Sequence, residues 1–223
     1  MEVKVHADIL KANDVLAQQN RSFFEEHGLY VVNLLGSPGS GKTTLLERTV
    51  EACRSRPGLR IGVIEGDIET SRDAERIARM GVPAIQINTR GACHLDAAMI
   101  GGVLDDVPTD EIDLLFIENV GNLVCPVGFD LGENAKVTVL SVTEGDDKPA
   151  KYPGAFRKSR ATVLNKTDLL QYTDVSMETV QHDILTINPG TRVIAVSSRS
   201  GEGVPDWVDW LEATANEWRG SRE

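Results

Sequence analysis

Short runs of apolar, largely β-branched residues recur along the chain, and amphipathic stretches separate most of them. The runs fall at 30–35, 60–65, 84–88, 113–119, 136–142, 161–165 and 192–197. Several are almost continuously apolar, which marks strands buried on both faces. Between them the spacing predicts helices at about 42–55, 71–80, 95–104, 150–158, 177–187 and 205–218. Strands alternating with helices predict a three-layer α/β fold, with a mostly parallel sheet of roughly seven strands covered on both faces. A further helix is predicted over 8–27, where Ile9, Leu10, Leu16, Phe23 and Phe24 form a rough apolar stripe and Gly28 ends it. The chain thus divides into a helical N-terminal extension, 1–28, and one α/β domain, 29–223. The stripe either packs on that domain or docks a partner.

Composition narrows the function. The 223 residues are 41% hydrophobic, which suits a globular domain with a sizeable core. The net charge, 23 − 34 = −11, argues against nucleic-acid binding. No apolar run approaches the ~20 residues that cross a bilayer. The opening Met1-Glu2-Val3-Lys4-Val5-His6 lacks a secretion signal, so a cytoplasmic protein without membrane partners is expected. Cys53, Cys93 and Cys125 are too few, and odd in number, for a disulfide framework.

In parallel α/β sheets ligands gather beyond the carboxyl ends of the strands. The loop after the first strand reads Gly36-Ser37-Pro38-Gly39-Ser40-Gly41-Lys42-Thr43, with Thr44 next. This complete G-x-x-x-x-G-K-T pattern, between a strand and a helix, predicts a P-loop NTPase. Its glycines let backbone N–H groups face a phosphate, Lys42 reaches the β and γ phosphates, and the Thr43 hydroxyl binds Mg²⁺. Glu118 emerges at the carboxyl end of the fourth run, where such an enzyme needs an acid for the Mg²⁺ shell. Asp67 is a second candidate, with Glu69 and Asp73 behind it; a helix N-cap near Thr70 and Ser71 is the competing role for Asp67. Gly121, three residues past Glu118, offers an N–H to a γ-phosphate.

The sixth run ends in Asn165-Lys166-Thr167-Asp168, the N-K-x-D guanine reader. The Asp168 carboxylate can accept from guanine N1–H and its amine, a donor pair that adenine lacks. Lys166 can lie over the base, and Asn165 can brace the P-loop. Ser197-Ser198-Arg199 resembles the Ser-Ala-Lys loop that closes over the base, with Ser198 and Arg199 as departures. Cys93-His94 and Cys125 lie in loops expected at the same sheet edge. Two thiolates and an imidazole suit Zn²⁺ or Ni²⁺, within one chain or shared by two. Cys53, on the helix after the P-loop, reads as a small buried hydrophobe.

Together these segments resemble the HypB family, GTPases of the SIMIBI class that assist nickel insertion into hydrogenases. The match includes the P-loop, Cys93-His94-Leu95-Asp96-Ala97, Ile117-Glu118-Asn119-Val120-Gly121-Asn122-Leu123, Cys125-Pro126, Glu144-Gly145-Asp146-Asp147-Lys148 and the N-K-x-D quartet. The resemblance implies a GTP-hydrolysing metallochaperone that dimerises when nucleotide is bound, with a metal site at the dimer interface formed by Cys93, His94 and Cys125. It implies two partners, a HypA-like nickel-binding accessory protein and an immature hydrogenase large subunit. The N-terminal cysteine motif and histidine-rich stretch of many bacterial members are absent, since His6 and His27 are the histidines before Cys53. Asn122 follows Gly121 where a water-positioning glutamine would stand, so slow turnover is expected. Arg72 and Arg90 are candidate finger charges, and Lys148 is a candidate to reach across a dimer. A urease-type accessory GTPase, a non-hydrolysing metal-responsive nucleotide binder and an ATPase are the competing readings.

Overall fold

The computed structural model describes the backbone of residues 5–67 and 72–222, and side chains over 10–67 and 73–222. Glu69, Thr70 and Ser71, and the side chains of Ile9 and Arg72, all invoked above, lie outside what is described. Seven strands form one sheet: β1 Tyr30–Leu35, β2 Ile61–Asp67, β3 Ala84–Asn88, β4 Leu114–Glu118, β5 Ala135–Ser141, β6 Ala161–Asn165 and β7 Arg192–Ala195. Their order is β3-β2-β4-β1-β5-β6-β7, and each neighbouring pair is parallel. The sheet expected to be mostly parallel is thus parallel throughout.

Eight α-helices are described: α1 Val5–Glu26, α2 Lys42–Cys53, α3 Arg72–Ala78, α4 Ala97–Gly101, α5 Lys148–Lys151, α6 Pro153–Lys158, α7 Met177–Ile187 and α8 Val204–Gly220. The single helix expected over 150–158 is two, because Pro153 supplies no N–H to continue the α5 ladder and instead opens α6. The expected helix at 95–104 shortens to α4, which Asp96 caps by accepting from Met99 N–H.

Successive strand residues point to opposite faces. Val32 and Leu34 enter a core shared with Leu45 and Leu46 of α2 and with Trp207 and Leu211 of α8. Val31 enters the opposite core with Phe24 of α1, Ile100 of α4 and Leu95. Leu35, Leu140 and Leu164 meet Phe156 of α6 and Ile184 of α7 in a third cluster. Of the two roles open to α1, packing on its own domain is the one observed. Its Asn20 amide donates to the carbonyls of Ala97 and Leu131, and Asn13 donates to that of Asp130. Among the described residues, no helix is long and apolar enough to cross a membrane.

The helix that begins at the glycine loop is anchored from α8. The Trp207 indole N–H donates to Thr49 Oγ1 at 2.9 Å, with both side chains buried. Trp207→Phe keeps most of the buried ring and orphans that bond, so it should cost about 1–2 kcal/mol. Urea unfolding should show a lower midpoint at unchanged slope.

Candidate functional site

The loop between β1 and α2 is shaped by contacts that admit only glycine. Gly41 sits at φ 95°, and an added Cβ would collide with the side-chain nitrogen of Asn165. At Gly36 an added Cβ would lie 2.6 Å from both Ser40 Oγ and the Val139 carbonyl oxygen. Lys42 is buried and donates to the carbonyls of Gly36 (3.3 Å) and Ser37 (3.5 Å). Burial lowers its pKa, against the opposing pull of Glu118 and Glu144. Gly121 lies against the same loop, where a Cβ would come within 2.9 Å of Pro38, and Asn122 bridges to Gly36. The segment after β4 therefore touches the phosphate cradle directly.

At the cradle's floor the Thr43 hydroxyl donates to Glu118 Oε1 at 2.9 Å. Glu118 Oε2 and Glu65 Oε2 are buried without hydrogen-bond partners. The two acids meet because β2 and β4 are neighbours and their register pairs Glu65 with Glu118. Burial raises the Glu118 carboxyl to about 7, against the pull of Lys42 and the Thr43 hydroxyl. Burial raises Glu65 to about 8, and the charges of Glu118 and Asp67 add to this. A hydroxyl beside orphaned carboxylate oxygens is a hard-oxygen donor set that fits Mg²⁺. Asp67 closes β2 at the rim of the same cleft, about 450 Å³ in volume, which Lys42, Glu65 and Glu118 also line. That volume suits a small charged ligand.

Two residues of this cleft went unpredicted. Glu65 closes the apolar run at 60–65, and its signal was a carboxylate two positions before the end of β2. Arg76 of α3 grips Glu47 of α2 through two bonds of 3.0 and 2.8 Å, and also donates to Asp73 and to Thr44 Oγ1. Asp73, a weaker Mg²⁺ candidate, is thus engaged by Arg76.

A second cavity of about 300 Å³ adjoins the first across Gly41, Thr44 and Lys166, and Asp168, Ser198 and Arg199 complete its lining. Asn165 is its keystone. Its amide donates to the Ser40 carbonyl at 3.0 Å, and its oxygen accepts from the backbone N–H and hydroxyl of Ser198. Lys166, at φ 63°, reaches back to the Gly39 carbonyl at 2.6 Å. Asp168 Oδ1 accepts from the Ser197 hydroxyl at 2.6 Å. Arg48 of α2, also unpredicted, holds the carbonyls of Ser198 and Arg199.

The two thiols lie near enough for Cys125 to influence the titration of Cys93, and the imidazole sits beside one of them. A hydrogen bond with the Cys125 thiol raises the pKa of the exposed Cys93, and burial adds to the shift. His94 Nδ1 lies 3.6 Å from Cys93 Sγ, while its ring stacks on Phe129 at 3.9 Å. Burial lowers the His94 pKa against the pull of Asp96. Among the described residues, no group of three or more histidine, cysteine or carboxylate side chains is arranged to hold a metal ion. One chain therefore presents two thiols and an adjacent, turned imidazole. Cys53 is buried, and burial pushes its thiol up to about 11. Lys148 pairs with Glu144 at 3.7 Å and lies over the Tyr152 ring. Arg90 is exposed at φ 50°.

The wholly parallel sheet, the glycine cradle after β1 and the Lys42-Thr43 pair opening α2 define a P-loop nucleotide-binding protein. The family model described as "CobW/HypB/UreG, nucleotide-binding domain" matches residues 30–195, and the chain belongs to this family. Within it, the chain is 53% identical over 211 residues to a hydrogenase maturation factor HypB of Azotobacter vinelandii, covering 94% of this chain and 69% of that one. Among solved structures, HypB from Archaeoglobus fulgidus superposes with a TM-score of 0.84 at 42% identity, covering 92% of this chain and 99% of that one. HypB from Helicobacter pylori in complex with nickel gives a TM-score of 0.87 at 38% identity, covering 92% and 96%.

The buried acids set a pH dependence. Folded Glu118 and Glu65 hold protons up to about 7 and 8, whereas unfolded glutamates release them near 4.5. Between those limits the native state binds more protons, so stability falls as pH rises. Metal-free, nucleotide-free protein should therefore melt at a lower temperature at pH 8 than at pH 5. Glu65→Gln should flatten that slope in a calorimetric pH series.

Proposed function

We propose that this protein hydrolyses GTP and uses the cycle to pass nickel toward a nickel-iron hydrogenase under maturation. The observation that carries the reading is the shared edge. The Gly121 segment that lies on the P-loop runs within four residues into Cys125, whose thiol is near enough to shift the pKa of Cys93. The nickel complex of the Helicobacter pylori HypB supports nickel as the cargo.

In this reading the cradle from Gly36 to Thr44 wraps the phosphates and Lys42 neutralises the β and γ groups. Mg²⁺, when bound, screens phosphate charge and withdraws electrons from the leaving group. Thr43 and Glu118 would hold it, with Asp67 at the rim. Asp168 accepts from the guanine edge, Lys166 covers the base, and Asn165, Ser198 and Arg199 frame it. The catalytic work of Lys42, Thr43 and Glu118 is positioning and charge stabilisation while water attacks the γ-phosphorus. Asn122 stands where a water-positioning glutamine would be, so slow turnover is the expectation.

Cys93, His94 and Cys125 carry the soft cargo site, for Ni²⁺ or Zn²⁺. Because one chain offers two thiols and a turned ring, a second copy meeting this edge completes the set. Because the same edge carries the phosphate cradle, the expected homodimer depends on nucleotide. Relaxation of the Gly121 segment after hydrolysis would then loosen the thiols. A HypA-like accessory protein and the hydrogenase large-subunit precursor are the expected partners, in the cytoplasm, with neither nucleic acid nor membrane involved. The N-terminal helical extension, 1–28, is a support for the GTPase domain, 29–223. A urease-type accessory role remains the second reading, because the family model covers both branches.

Lys42→Ala should abolish phosphate release from GTP in the presence of Mg²⁺; absence of release by the wild type would sink the enzymatic claim. Asp168→Asn should weaken GTP binding by about 100-fold or more and favour xanthosine triphosphate, as expected when a buried hydrogen-bond pair is mismatched. Unchanged GTP affinity in a competition assay would instead favour an adenine or indifferent base site.

A further inference from the structure

A polar chain that the site does not use runs through the core beneath it. Asn33 stands in the middle of β1, wholly buried among valines and leucines. A buried amide costs free energy unless its donors and acceptors are matched. Here they are matched along a single route. Asn33 Oδ1 accepts from the Asn119 amide at 3.3 Å, and Asn33 Nδ2 donates to Glu133 Oε1 at 3.2 Å. Glu133 in turn accepts from Leu131 N–H at 2.7 Å and pairs with Lys136, whose ammonium donates to the Phe129 carbonyl at 2.8 Å. Phe129 is the residue on which His94 stacks.

The other end of the route reaches the same loop. Asn119 follows Glu118 directly and is 1% exposed. Its Oδ1 accepts from its neighbour Val120 N–H at 3.0 Å and from Leu95 N–H at 3.1 Å. Leu95 comes immediately after Cys93 and His94. Its side chain, fully buried, fills the notch left by Gly66, where an added Cβ would meet three Leu95 carbons at 2.7–2.9 Å. Gly66 lies between Glu65 and Asp67. The Cys93-His94 loop is therefore held to the phosphate cleft twice. The backbone of Leu95 is held by the neighbour of Glu118, and its side chain packs on the glycine between Glu65 and Asp67, on the sheet face opposite those two carboxylates.

We propose that Asn119 is a positioning residue that transmits nucleotide state to the cargo loop, by clamping Leu95 while Leu95 is seated against Gly66. The idea rests on the linkage of nucleotide and metal proposed above and names the side chains that carry it. Movement of β4's end by the γ-phosphate displaces the Asn119 oxygen, and with it the Leu95 N–H and the two residues before it. Asn33, Glu133 and Lys136 keep the Asn119 amide from rotating, so displacement is transmitted instead of being absorbed by a side-chain turn. A packed, hydrogen-bonded path of this kind has discrete arrangements, which is what coupling between sites needs.

The test is Ni²⁺ titration of the full chain at saturating GDP and at saturating non-hydrolysable GTP analogue, with Mg²⁺ present. Wild-type protein should show metal affinities that differ between the two states by about fivefold or more, the lower range of measured couplings. Asn119→Ala should bring that ratio below about twofold, while Cys93 and Cys125 still bind the ion. A merely structural role for Asn119 would lower stability and leave the ratio alone. A variant ratio equal to that of the wild type overturns the clamp and spares the linkage. A wild-type ratio of one overturns the linkage itself, and the clamp with it. Hydrogen exchange on wild-type protein decides the matter should the variant fail to fold. Protection of the peptide spanning 93–97 should change between the two nucleotide states, and identical exchange overturns the clamp.

Discussion

Two carboxylates and one ammonium share the floor of the cleft, and the fold is arranged around tolerating them. Glu65 and Glu118 are brought together by the adjacency of β2 and β4, and Lys42 is brought to them by the loop leaving β1. Each would be costly alone in this burial. Together they still leave two carboxyl oxygens without partners, a larger concession than the unpartnered hydroxyls of Thr162 and Thr191 elsewhere in the core. Such concessions concentrate where a ligand restores the balance. The rigid parts around the floor make it possible to hold these groups close: the crowded glycines of the cradle, the Asn165 brace and the Trp207 anchor on α2.

The edge of the sheet then divides its labour by chemistry. Hard oxygen donors lie over β1, β2 and β4, and soft sulfur donors lie in the loops that follow β3 and β4. The groups do not mix. Phe129 and Leu95 stand on the thiol side as apolar neighbours of the imidazole and the loop. Membership of the CobW/HypB/UreG family, and similarity to HypB structures, place this arrangement among nucleotide-binding maturation factors.

Much of this was legible from residue order because it depended on local pattern. The strands showed as continuous apolar runs, and the glycine loop and N-K-x-D quartet showed as fixed spacings. What stayed hidden depended on which strands are neighbours. Glu65 gains meaning only when β2 lies beside β4, and Asn33 only when Asn119 and Glu133 arrive from strands or loops distant in sequence. Arg48 and Arg76 looked like ordinary helix-surface cations until their partners on Ser198, Arg199 and Glu47 were seen. The pair of short helices at 148–158 followed from Pro153, a breaker that periodicity alone overran. The turned His94 ring had no local signal, since a stacking partner 35 positions away set it.

The three tryptophans, at 207, 210 and 218, all ride on α8, and Trp207 stacks on Trp210 at 5.4 Å. That helix covers the face of the sheet opposite Leu95 and Phe129. The intrinsic ultraviolet emission of the protein therefore originates in a buttress that shares its core with Cys53 and lies on the face opposite Leu95, the residue that follows Cys93-His94. It is an optical gauge of whether that face is intact, and a chromophore placed elsewhere is needed to report on the loop of Cys93 and His94.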